Sequence, residues 1–219
     1  MKLAHSYSSI KLYENCPLRY YRQRIIKDIK DEGGDASLYG DRIHKLLEAR
    51  LKEAKDLPQE IARYEPLCTA FEAMAQGGEL CIEQELVLND NLLPTTWWAD
   101  DAWLRSKLDI LVVKGNTAVV GDWKTGKRRP DFFQMEIFAA QVFKHYPDVQ
   151  TVRCSLVWLQ DMKQDIETYQ RTQVNELWAG ILKRIRRIYD SLDHDTWPAK
   201  PSRLCAYCPA RFDCDFAQT

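Results

Sequence analysis

Asp109, Asp122 and Lys124 flank the dipeptide Gly115-Asn116, a recognised two-residue hairpin signal. If that dipeptide is the turn, Lys114 faces Thr117, and counting back along both strands sets Asp109 opposite Asp122. Opposite residues stand about 5 Å apart on one face, where like charges repel. Lys124, two residues past Asp122, points to the same side. Two carboxylates and an amine on one small patch can do hydrolytic chemistry. The carboxylates hold a cation, the cation acidifies water, and the lysine orients or stabilises that water. The alternative is a solvated hairpin face, since a shift of one residue in register separates the aspartates.

A second group lies near the C-terminus, where Cys205, Cys208 and Cys214 form C-x2-C-x5-C. Zinc and cubane clusters both usually take four ligands, and Cys16 is the best remaining candidate for the fourth. Cys68, Cys81 and Cys154 sit in apolar stretches and read as buried free thiols. The first fifteen residues lack a signal peptide's apolar run, and no stretch approaches the ~20 apolar residues of a membrane span. A reducing, cytoplasmic setting is expected, in which clustered cysteines bind metal more often than they form disulfides.

These groups need a scaffold. At 219 residues and a formal net charge of -1, the chain can bury a core without disulfides, but shows no bulk attraction to nucleic acid. A polyanion would have to be met by local basic patches or bound cations. The pattern predicts helices over 6–30, 37–54 and 58–76, broken at Gly33-Gly34 and Gly77-Gly78, then a strand over 79–88. A loop with Pro94, Trp97 and Trp98 follows, then two strands from Ala102 to Lys124, a helix over 131–145, strands at 153–160 and 166–170, and a basic helix over 173–192. That order predicts an α/β core with a helical N-terminal lobe. It divides as 1–78 helical lobe, 79–172 catalytic sheet and 173–219 basic helix with a cysteine-rich segment.

At Asp122-Trp123-Lys124-Thr125-Gly126 the chain resembles the D-x-K-T-G segment of RecB-like PD-(D/E)XK nucleases. Lys107–Leu111 resembles that family's second motif, Gly40–His44 its G-x-x-x-H helix, and Gln134–Phe138 its Q-x-x-x-Y motif, with phenylalanine in place of tyrosine. Ser106 and Lys107 stand where the family usually has a glycine before its second-motif aspartate. The resemblance implies a restriction-endonuclease-like core, with a central mixed sheet flanked by helices. It implies His44, Asp109, Asp122 and the Trp123 carbonyl as ligands of Mg²⁺ or Mn²⁺, with Lys124 catalytic. Taken alone, a histidine such as His44, at the border of a buried helix face, is usually structural. Glu85 is either an outer carboxylate or a solvated strand residue.

The cysteine pattern is similar to that of iron–sulfur nucleases of the AddB type and of CRISPR adaptation. This implies a [4Fe-4S] cluster on Cys16, Cys205, Cys208 and Cys214, against structural zinc or unrelated thiols as alternatives. The implied activity is exonucleolytic cleavage of single-stranded DNA ends in recombination, repair or CRISPR adaptation, with a protein partner in such a complex and no membrane. Gln134, Lys127, Arg128 and Arg129 are candidate DNA contacts. Trp97 and Trp98 are candidates for stacking on unpaired bases, or for burial in the core. Lys183, Arg184, Arg186 and Arg187 give the late helix a basic face that is either solvated or DNA-binding. The rival reading is a non-catalytic DNA-binding or adaptor module with structural zinc.

Overall fold

The computed structural model describes residues 3–217. The chain divides into two compact units, one formed by Gly34–Trp178 with the first residues up to Ala4, the other by His5–Gly33 with Ala179 onward.

The first unit holds a five-stranded mixed sheet: β1 (Glu79–Leu88), β2 (Leu104–Lys114), β3 (Thr117–Lys124), β4 (Thr151–Trp158) and β5 (Lys163–Gln170), in that spatial order. Every neighbouring pair is antiparallel except β3 and β4. A parallel pair needs a crossover, and helix α5 (Phe132–His145) supplies it. The Gly115-Asn116 hairpin forms in the expected register, from Lys114↔Thr117 through Ile110↔Gly121. Positive φ occurs at Gly115 (57°), the first turn position, which glycine adopts without steric cost.

Helices α3 (Asp35–Glu53) and α4 (Glu65–Met74) cover one face of the sheet. Ile43 and Leu47 repeat at helical spacing along α3 and pack with Cys68, Phe71, Ile110, Val112, Trp123 and Val157 into a buried cluster. Arg50 of α3 binds Glu65 and Glu72 of α4 and ties the two helices together. The crossover helix starts at Asp131, whose carboxylate caps the Phe133 N–H at 3.1 Å. Its Gln141 is fully buried and donates to the Leu86 and Leu104 carbonyls at 3.2 and 3.1 Å. That bond pair gives the buried amide nitrogen backbone partners on β1 and β2.

Close packing constrains Gly121. A Cβ there would lie 2.6 Å from the Phe71 ring, which itself meets Trp123 edge-on at 5.5 Å. Gly121→Ala is expected to destabilise the fold by about 1–3 kcal/mol, the usual cost of overpacking. A chain this size loses ~2–4 °C in Tm per kcal/mol. An unchanged melting curve would show that Phe71 relocates freely.

In the second unit, α1 (Tyr7–Asn15) opens with a capping box at Ser6 and Ser9. The single helix expected over 6–30 does not form. Pro17 has no N–H to continue α1, so Cys16 is extended (φ -162°), and α2 (Pro17–Tyr20) passes into a π-helical turn that ends at Ile25. Likewise the helix expected from Pro58 begins as a 3-10 segment, Gln59–Tyr64, before α4. Helix α6 (Val174–Asp193) buries Ile181, Ile185 and Ile188 at helical spacing. Within this unit the Tyr13 hydroxyl is 2.7 Å from both the Arg187 carbonyl and Ser191 Oγ, and Trp197 stacks on Tyr20 and Tyr21.

His5 lies buried against Tyr189, its Nε2 3.2 Å from the hydroxyl. Burial, helped by the nearby Arg24 charge, pushes its pKa down to about 4. In the unfolded chain the imidazole takes its proton near pH 6.5, before the folded protein does. Stability is therefore complete above pH 6.5 and falls between 6.5 and 4, by about 3 kcal/mol over the whole window. His5→Gln should flatten that segment of a urea-denaturation pH profile. A profile with unchanged slope would remove His5 as its cause.

Candidate active site

The hairpin ladder stops one step short of the aspartates. Beyond Ile110↔Gly121 the strands part, and the Trp123 N–H donates to Asp109 Oδ2 at 2.7 Å instead of to a strand carbonyl. A backbone bond thereby aims one aspartate. Its other oxygen, Oδ1, lies 3.1 Å from His44 Nδ1 on α3.

A third group comes from β1. The β1–β2 register is unbroken on either side of Glu83, with Ile82↔Ile110 and Gln84↔Leu108, so no residue is inserted. Glu83, opposite Asp109, instead has a left-handed backbone (φ 57°), a conformation costly for a side chain other than glycine. Ligand atoms of His44, Glu83 and Asp109 all lie within 4.8 Å of one another, and Asp41, Lys45 and Lys107 line the same cavity. Glu85, read in the sequence as either an outer carboxylate or a solvated strand residue, is exposed, as the second reading has it. Glu83 is the residue that joins the cluster.

Asp122 is buried beside this group and held separately. Lys124 Nζ is 2.6 Å from its Oδ2, Gln134 Nε2 donates to its Oδ1 at 3.0 Å, and Lys124 also donates to Gln134 Oε1 at 2.8 Å. Gln134 thus closes a three-membered polar ring that fixes the lysine. Both ends of the amide expected to contact DNA are used inside the site. Burial drives the Asp122 carboxyl above the ordinary carboxylate range, with the Asp109 charge adding to that rise and Lys124 opposing it. At His44, burial disfavours the charged ring, but the Asp109 hydrogen bond and the fields of Asp109, Asp122 and Glu83 outweigh it, and the net shift is upward. Such an arrangement suits a cation: excess negative charge gathered in a half-buried cavity, with a histidine that must lose its proton to ligate.

Close helix approach explains the glycine of the first motif. A Cβ at Gly40 would be 3.0 Å from Thr125 Oγ1, so a larger residue there would require Thr125 to give way by a few tenths of an ångström. Phe138 is buried in the core. Of the basic residues after β3, Arg128 is engaged by Asp165, with Nε to Oδ2 at 2.8 Å. Lys127 and Arg129 are exposed. Neither Trp97 nor Trp98 is in the core. Trp97 is half-buried with Arg105 over its ring at 5.6 Å, and Trp98 is 86% exposed.

In the second unit, Cys16, Cys205, Cys208 and Cys214 line one cavity together with Arg19 and Arg22. The Ser202 N–H points at Cys205 Sγ at 3.3 Å. Arg22 binds Asp28 and Asp213, both at 2.8 Å, and so links the helical and C-terminal segments of this unit. Cys68 and Cys154 are buried, whereas Cys81 is only half-buried and bonds Glu79.

A mixed sheet with helices packed on it carries an acidic group able to hold a cation next to a tethered lysine. The family model for the PD-(D/E)XK nuclease superfamily matches residues 4–215, and the chain belongs to that superfamily of metal-dependent nucleases. No curated protein matches it. In fold it is similar to a Eubacterium rectale protein described as a candidate exonuclease, at 13% identity and TM-score 0.58, covering 99% of this chain and 90% of that one. It is also similar to SSO0001, at 13% identity and TM-score 0.52, covering 100% and 90%. No helix among the described residues is long and apolar enough to cross a membrane.

Proposed function

We propose that this chain is a deoxyribonuclease that hydrolyses phosphodiesters with Mg²⁺ or Mn²⁺, acting as an exonuclease on single-stranded ends. The observation that carries this reading is the convergence of His44, Glu83 and Asp109 beside a lysine locked by Asp122 and Gln134. His44, Glu83 and Asp109 would hold the cation, with Asp122 and the Trp123 carbonyl completing the set. The bound ion supplies Lewis acidity to the phosphate and lowers the pKa of water. Lys124, paired with the Asp122 carboxylate, provides positive charge for the reacting phosphate and a donor that orients water.

Support for DNA as substrate comes from exposed Lys127 and Arg129 just past the site and from the exposed indole of Trp98, a surface suited to unpaired bases. The E. rectale neighbour's description as an exonuclease agrees with end-directed cleavage. Recombination, repair or CRISPR adaptation, with a partner protein, in a reducing cytoplasm, fits such an activity. Side-by-side assays of end-labelled single-stranded DNA, duplex DNA and RNA with Mn²⁺, Mg²⁺ or chelator test it. Single-stranded DNA should be degraded from its ends and only with metal. Preferential cleavage of RNA, or cleavage in chelator, would overturn it.

The four-cysteine cavity fits a [4Fe-4S] cluster. All four cysteines line one space, with Arg19 and Arg22 beside them, and the Ser202 N–H bonds Cys205 Sγ. Anaerobic purification should yield brown protein containing iron. A colourless preparation containing zinc would replace the cluster with a structural zinc site.

A further inference from the structure

Lys107 stands on β2 two residues before Asp109, and its ammonium lies 2.5 Å from Glu83 Oε2. Its side chain is about half exposed, while that of Glu83 is 13% exposed. The pair therefore sits at the rim of the cavity that holds His44, Glu83 and Asp109. The proposed cation site needs the same carboxylate. A divalent ion binds a carboxylate oxygen at about 2.1 Å, which would place two positive centres within a few ångströms on one glutamate. Whatever the ion pair contributes to the protein must then be given up when the cation arrives.

From this geometry we infer that Lys107 is a built-in competitor for the catalytic cation: it neutralises Glu83 and must leave it when the metal binds. The inference rests on reading the cavity as the cation site. With Lys107 in place the left-handed Glu83 is never an uncompensated buried charge. The protein gives up metal affinity in return, so occupancy follows the free divalent concentration more closely. Once displaced, the ammonium remains at the rim of the cavity.

Isothermal titration of the full chain with Mn²⁺, without DNA, tests this. Lys107→Ala should tighten Mn²⁺ binding by about threefold or more, the scale of a half-exposed ion pair expressed as affinity. Lys107→Arg, which keeps the pair, should bind like the unsubstituted chain. Lys45→Ala is the control, since Lys45 carries the same charge into the same cavity from α3. A gain for Lys107→Ala clearly larger than for Lys45→Ala supports the competitor role. No gain, a loss, or an equal gain in the control overturns it, the last because Lys107 would then act only as a diffuse positive charge. If the unsubstituted chain binds no Mn²⁺, the reading of the cavity itself fails. Mn²⁺ binding that is indifferent to Lys107 sinks this inference alone.

Discussion

Lys124→Ala is expected to reduce DNA cleavage by about 10²–10⁴-fold, the contribution typical of a positioned acid–base or charge-stabilising group. DNA binding should persist, because the exposed Lys127 and Arg129 and the Trp98 indole are untouched. Removing the ammonium leaves the buried Asp122 with only Gln134 on Oδ1, so its carboxyl should shift further towards the neutral form. Loss of folding is therefore the competing explanation for lost activity, and Lys124→Met, which keeps the aliphatic stem, controls for it. Single-turnover cleavage measured beside fluorescence-anisotropy binding gives the answer. A variant that cuts normally means the lysine is not part of the machinery. A parent chain that binds DNA but never cuts it favours the non-catalytic adaptor reading.

Asp109→Asn should have an effect at least as large through a different route. The amide oxygen can still accept the Trp123 N–H, so the parting of β2 and β3 should survive. The carboxylate charge is lost, and with it the ion pair to His44 and a principal ligand of the proposed cation. Affinity for Mn²⁺ should fall by more than the about 10- to 100-fold usual for losing a group that only orients a ligand. Cleavage should fall with it and recover partly at high Mn²⁺. Unaltered Mn²⁺ binding would move the cation away from Asp109.

The hairpin was legible because its turn residues, its length and its alternation all agree, and one known pairing propagates to every residue along both strands. The same counting put Asp122 and Lys124 on one side, where they meet at 2.6 Å. Glu83 was not legible. Its strand pairs with β2 through a long loop, whose length sets no register, and its reach into the cavity depends on a left-handed φ that no residue type signals there. Glu85, two positions on and chemically identical, was the residue noticed, and it faces solvent. Gln134 was visible as a polar residue at a helix start, but its bonds to both Asp122 and Lys124 arise from packing of a helix against β3. The first helix failed at Cys16-Pro17, where proline's missing N–H outweighed the apolar spacing that ran through it. Cys205, Cys208 and Cys214 were readable as a group from their spacing and Cys16 only as the best remaining fourth candidate, and the cavity they share adds a position without supplying an identity.

The most direct test of the cation site is a crystal structure of the chain soaked in Mn²⁺, with anomalous scattering used to locate the ion. The account predicts a peak about 2–2.5 Å from His44, Glu83 and Asp109, with Lys107 withdrawn from Glu83. A cavity with no anomalous peak at saturating Mn²⁺, or an ion bound only elsewhere on the protein, would contradict it.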